Sequence, residues 1–124
     1  MTKFEAALSQ YKHAVKNIEE VLQEEKNEFI RDSAIKRFEL TFDLAWKTVK
    51  AFLEEYHNAI CVSPKTCFRE AFNKGVISYD DYWIELANVR NNTVHTYNEI
   101  LAEEIYKKLP QALSHFQKLL SAIA

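Results

Sequence analysis

Residues 29–56, FIRDSAIKRFELTFDLAWKTVKAFLEEY, decide the fold class. Ala34, Ile35, Phe38, Phe42, Ala45, Val49, Phe52 and Leu53 recur three and four residues apart, the period of a helix that buries one face. Neither glycine nor proline interrupts the stretch, so it predicts one long helix from about Phe29 to Tyr56. His57-Asn58 follows, and asparagine tolerates the left-handed backbone that closes a helix.

The same period extends outward in both directions. Upstream, Phe4, Ala7, Tyr11, Val15, Ile18, Val21 and Leu22 form an apolar stripe, with Glu5, Lys12, Lys16, Glu19 and Glu20 opposite. This predicts an amphipathic helix from Phe4 to about Glu25, joined to the next by the charged connection Glu24 to Glu28. Downstream, Ser63-Pro64 combines a good N-cap with a residue suited to the first helical position. It predicts a short helix from Pro64 to Asn73, closed by Gly75, the sole glycine. Ser78 and Asp81 have the S-x-x-D spacing of a capping box for a fourth helix through Tyr82, Trp83, Leu86 and Val89. Arg90-Asn91-Asn92 predicts a break, because paired asparagines favour caps and turns over helix interiors. A last helix from about Asn98 to Ala122 carries Leu101, Ile105, Leu109, Leu113, Phe116 and Leu120, and Pro110 within it predicts a bend or a displaced hydrogen bond. The expected fold is all-α: an up-and-down bundle of four longer helices plus a short helix, forming a single domain over residues 1–124.

Composition agrees. The 124 residues are 48% apolar and 27% charged, with one Gly and two Pro, too few breakers for an all-β chain. A net charge of −2 excludes a global basic field for long duplex DNA, while a local RNA site needs only a few cations. Met1 to Phe4 lacks the basic and apolar regions of a signal peptide, and no apolar run approaches membrane-spanning length. The expected location is cytoplasmic, with no membrane association. Cys61 and Cys67, spaced C-x5-C, match no common zinc knuckle, and are expected to be reduced thiols near a helix end.

The densest polar cluster between apolar stripes is Arg90-Asn91-Asn92-Thr93-Val94-His95-Thr96-Tyr97. On an unbroken helix, Arg90 and His95 would lie roughly 140° apart around the axis. A break at the asparagines could let them converge. Histidine takes or gives a proton near neutral pH, and arginine holds a phosphate and stabilises developing negative charge. With the adjacent 2′-hydroxyl of RNA as internal nucleophile, such a pair needs no metal and no cofactor. On spacing alone, a plain helix-junction hydrogen-bond network is the stronger reading.

Elsewhere, Arg37 and Asp43 read as solvent pairs or interface contacts. Asp32 and Glu39 are left open as residues that could face the site from the neighbouring helix. Trp46 and Trp83 read as core anchors. His13, His57 and His115 have no ligand spacing around them, so no metal site is expected. One glycine cannot build a phosphate-cradling loop, so the chain is not itself expected to be a nucleotidyltransferase.

Four blocks, in order, carry a family resemblance. Arg37-Phe38-Glu39-Leu40-Thr41-Phe42-Asp43-Leu44-Ala45-Trp46-Lys47 resembles the "RFE…LaWK" helix of nucleotidyltransferase substrate-binding proteins. Ser63-Pro64-Lys65 with Arg69-Glu70-Ala71-Phe72 resembles their "sPk…REAf" segment. Trp83 stands where they have a tryptophan before Arg-Asn, and R-x4-H-x-Y at residues 90–97 resembles the signature of HepT-type HEPN proteins. His57-Asn58 departs from a glycine expected in many relatives, at a turn rather than the site. The resemblance, over roughly residues 4 to 120, implies a HEPN-like helical subunit of a two-component system with a minimal nucleotidyltransferase. It implies a homodimer, Arg90 and His95 as a metal-independent ribonuclease pair, Asn91 as a supporting residue and Tyr97 as the tyrosine that the partner adenylylates in toxin–antitoxin members.

Three functional expectations follow. In the first, the chain is a HepT-like toxin that cleaves RNA and is regulated at Tyr97 by its partner. In the second, it is a non-catalytic subunit that binds a nucleotide or substrate for the partner. A plain helical dimerisation module is a third.

Overall fold

Each helix begins where a side chain satisfies otherwise orphaned backbone N–H groups. In the computed structural model, which describes residues 1–124, α1 spans Lys3–Leu22, α2 Glu28–His57, α3 Pro64–Asn73, α4 Tyr82–Asn92 and α5 Glu99–Ile123. Thr2 caps α1 by accepting from the Glu5 N–H, and Asn27 caps α2 by accepting from Ile30. Ser63 and Thr66 form a reciprocal capping box at α3 with Pro64 as its first residue. Asn98 accepts from both Ile100 and Leu101 at the start of α5.

The helix ends follow the same chemistry. Asn58 closes α2 in the left-handed region, with φ of 49°, which explains how a residue other than glycine serves at that turn. Gly75, with φ of 74°, turns the chain after α3. The Ser78 expectation is corrected. Asp81 occupies the cap position of α4 without a side-chain bond, and the Tyr82 N–H is instead donated to Asp80 Oδ1 at 2.9 Å. An aspartate nearer the helix satisfies the donor, so Ser78 is not needed. α5 continues through Pro110, which is exposed, so the missing N–H costs one intrahelical bond without ending the helix.

α2 packs along α1 and α5, and α3 and α4 close over its remaining side. All five helices contribute to one cluster of 26 buried residues. Phe38 and Phe42 of α2 and Phe116 of α5 are at most 1% exposed. Tyr11 reaches across to donate its hydroxyl to the Phe116 carbonyl at 2.7 Å, so its one polar group is satisfied in an apolar setting. Trp83 of α4 stacks on Phe68 of α3 with centroids 4.4 Å apart, and is buried as expected, whereas Trp46 is half-buried. The chain is thus an all-α helical bundle. α4, at 11 residues, is nearly as short as the 10-residue α3.

The cysteine expectation is also corrected: Cys61 and Cys67 are joined in a disulfide. Cys61 lies in the α2–α3 connection and Cys67 on the first turns of α3. The helix folds back towards its own leading loop, bringing their Cα atoms to 5.1 Å, within bonding reach. Spacing did not reveal this, because the reversal between residues 61 and 67 is tertiary geometry. No helix is long and apolar enough to cross a membrane.

Candidate functional site

The break expected at the asparagine pair is present. α4 ends at Asn92, and a single 3₁₀ turn, Thr93–His95, leads to the Asn98 cap. Thr93 is buried, and its hydroxyl donates to the Arg90 carbonyl at 2.7 Å while accepting from Arg90 Nη1 at 3.2 Å. One threonine therefore fastens both the backbone and the side chain of Arg90 at the point where the helix tightens.

Arg90 turns towards α2. Its Nε and Nη2 donate to Asp43 Oδ1 and Oδ2 at 3.0 and 3.1 Å, a bidentate fork, and Nη1 lies 3.3 Å from Glu39 Oε1. Asp43 and Glu39 are four residues apart on α2 and so share a face. The Asp43 hydrogen bonds hold the Arg90 guanidinium charged above its ordinary range, with Glu39 acting in the same direction and partial burial opposing. The two other sequence-derived residues sit apart from this fork. His95 and Tyr97 are both exposed, and Tyr97 Oη lies 3.3 Å from His95 Nδ1. No hydrogen bond or ion pair joins Arg90 to His95. The break frees the histidine from the helix, but the carboxylates of α2 draw the arginine to themselves. Asn91 is exposed beside Arg90.

An open cleft of about 400 Å³ lies between α2, α3 and α4, with Asp43, Ser63, Lys65, Arg90 and Asn91 among its lining. Lys65 Nζ donates to Asn88 Oδ1 at 2.9 Å. Of the residues left open, Glu39 does face Arg90, while Asp32 pairs with Arg31 instead. Asp43, read as a solvent or interface charge, is the principal partner of Arg90. Its signal was its i+4 relation to Glu39, which places two acids on one stripe. Lys65 was visible only as part of a motif. No group of three or more His, Cys, Asp or Glu side chains is arranged to hold a metal ion.

A second polar constellation links the α3–α4 connection to α5. His115 Nε2 lies 2.8 Å from Asp80 Oδ2, its Nδ1 3.0 Å from the Gln111 carbonyl, and Tyr82 packs on its ring. Burial alone would raise the Asp80 carboxyl, but the Tyr82 N–H, His115 and Lys118 bring it below its ordinary value. The Tyr82 hydroxyl is buried without a partner, and burial, with Glu85 and Asp80 nearby, pushes it up to about 12.

These features define a helical bundle with a polar cleft beside a broken helix, and comparison with known proteins gives its class. The model of the family described as nucleotidyltransferase substrate binding protein like matches residues 1–124. The chain belongs to this family. It is similar to a Thermus thermophilus protein of known crystal structure, at 32% identity over 91% of this chain and 98% of that one, with a TM-score of 0.84. A Haemophilus influenzae protein, whose structure is described as revealing the fold of a substrate binding domain of a nucleotidyltransferase, shares the fold at 23% identity, a TM-score of 0.70 and coverage of 97% and 96%. No curated protein matches the sequence.

Proposed function

We propose that this chain is a non-catalytic subunit that holds a nucleotide or nucleotidyl acceptor for a separate nucleotidyltransferase, with the cleft beside Arg90 as its binding site. The observation that carries this reading is the fixed Arg90–Asp43 fork at the edge of an open cleft, with His95 standing apart. A general base and a phosphate clamp must converge on the same reacting group. A recognition site needs only fixed polar groups around a space of ligand size. Family membership supports the association with a nucleotidyltransferase. The test is calorimetric titration of AMP and ATP into the chain, alone and mixed with a partner nucleotidyltransferase, together with an RNA cleavage assay. Saturable nucleotide binding without cleavage is the expected result; cleavage of RNA by the purified chain, lost in His95→Ala, would overturn it.

The exposed contact between His95 and Tyr97 favours a second reading. In a homodimer, Arg90 and His95 of two protomers would meet in a shared groove and cleave RNA by attack of the 2′-hydroxyl, leaving a cyclic phosphate. The chain would then be a HepT-like toxin of the HEPN class, with Asn91 supporting the centre. The partner would switch it off by adenylylating the Tyr97 hydroxyl, placing a bulky anion two residues from His95. Mass spectrometry of the co-expressed pair tests this, with an adenylyl adduct on Tyr97 as the expected product. A Tyr97 that stays unmodified in the presence of ATP and magnesium rejects the switch.

A further inference from the structure

We propose that the cleft between α2, α3 and α4 is a subsite for a phosphate monoester, contacted by the Lys65 ammonium rather than led by Arg90. This rests on the binding-subunit reading above and deepens it. Two cations line the cleft, and they differ in how their charge is already used. Arg90 directs Nε and Nη2 to Asp43, and Nη1 to Thr93 and Glu39. Its positive charge is offset by two carboxylates, so a phosphate approaching it also approaches them. Lys65 makes no ion pair. Of its three N–H donors, one is occupied by the Asn88 amide oxygen at 2.9 Å, which orients the ammonium without neutralising it. Lys65 is therefore the cation in this cleft whose charge is free for an incoming anion.

The backbone carrying Lys65 is held before any ligand arrives. Pro64 fixes the preceding φ, the Ser63–Thr66 capping box closes the first turn, and the Cys61–Cys67 link ties the loop to the helix on both sides of residue 65. Binding there orders little new chain, which favours affinity from few contacts. The chemistry favours a compact phosphate over a long polyanion. A nucleic-acid backbone is held by several unpaired cations in a row, whereas this cleft offers one, with Asp43 beside it. Its volume of about 400 Å³ is of the size that small-molecule sites occupy. The exposed Asn91 amide on the same rim supplies a donor and an acceptor for the polar edge of a base or sugar.

The experiment titrates AMP, adenosine, inorganic phosphate and a short RNA oligonucleotide into the full chain as wild type, Lys65→Gln and Lys65→Arg. Loss of one charge-assisted bond should weaken AMP about tenfold or more in Lys65→Gln. Lys65→Arg should stay within about threefold, since it keeps a cation at the same place, and adenosine affinity should not change. A companion measurement needs no variant: saturating AMP should protect Lys65 in the wild type from amine-directed labelling read by mass spectrometry. Equal AMP binding by wild type and Lys65→Gln, with no protection, overturns the subsite and leaves the binding-subunit reading standing. RNA binding that depends on Lys65 without AMP binding overturns the monoester assignment. Absence of nucleotide binding by the wild type, alone and with its partner, overturns both.

Discussion

Arg31 and Arg90 each face acidic side chains across a helix interface, yet they serve different ends. Arg31, at the start of α2, binds its neighbour Asp32 and reaches α5 through Glu99 at 2.7 Å and Glu103 at 3.1 Å. Its side chain is 5% exposed. Arg90 binds Asp43 and Glu39 with comparable geometry, but its side chain is 23% exposed and borders a cleft. In the first cluster the guanidinium is covered while Asp32, Glu99 and Glu103 reach water, and it joins two long helices, so the Arg31 charge is committed to the fold. In the second the guanidinium itself is partly exposed at the edge of a cleft, where Lys65 makes no ion pair. Both clusters use the same residue types; what separates them is the burial of the arginine, 5% exposed in one and 23% exposed beside a cleft in the other.

That contrast can be broken experimentally. The largest effect is expected from Arg31→Ala, which removes the link between α2 and α5. Uncompensated buried pairs cost more than exposed ones, but here the abandoned carboxylates can hydrate. A loss of about 2–3 kcal/mol is expected, read as a fall of roughly 10 °C in Tm, with nucleotide affinity unchanged. A loss of nucleotide binding at temperatures where the variant is folded would erase the distinction between the clusters. Reducing Cys61–Cys67, or replacing both residues by serine, should cost about 2 kcal/mol from the released loop. Its signature is regional: hydrogen exchange should rise over residues 59–67 while the amides around Arg31 keep their protection. Urea denaturation with and without reductant gives the magnitude.

Asp43→Asn should cost about 1 kcal/mol, as suits a partly exposed ion pair. It should also tighten phosphate binding severalfold, because Arg90 loses its counter-charge. Weaker binding in that variant would show the fork itself to be the recognition element. Acid sharpens the comparison from the other side. Lys26 and Arg31 hold the Glu103 carboxyl below its ordinary value of 4.5, and Asp80 sits below 3.8. A carboxyl with a depressed folded value contributes stability that is complete above its ordinary value and is lost as pH falls through the folded one. Stability should therefore decline below about pH 4, and Glu103→Gln should flatten that decline in melting curves taken from about pH 6 to about pH 3. The smallest effect on stability is expected at Tyr97→Phe. The residue is 81% exposed, so the change should stay within about 0.5 kcal/mol while removing the hydroxyl that the proposed adenylylation would need.

Much of the fold was legible because helices are encoded locally. The apolar stripe of residues 29–56 predicted α2 almost to the residue, and Ser63-Pro64, Asn58 and Gly75 marked ends with known backbone chemistry. The misread cap at Ser78 shows the limit of that reading, since a closer acceptor, Asp80, changed the local competition without changing the pattern. At the site, the break after Asn92 was legible for the same local reason. The destination of Arg90 was not. Asp43 lies 47 residues away in the chain, and which acid meets which base depends on how α4 is rotated against α2.

Sequence alone determined the helical class, the extent of the long helices, the interruption at 92–95 and the residues available to the site, because periodicity, capping and breaking act within a few residues. Tertiary packing alone decided that Arg90 is bound by Asp43, that Cys61 meets Cys67, that Arg31 is sealed and that Lys65 keeps a free charge. Each of those outcomes pairs groups through space, and the strength of an electrostatic contact is set by distance and by the water around it, neither of which is written in the order of the residues.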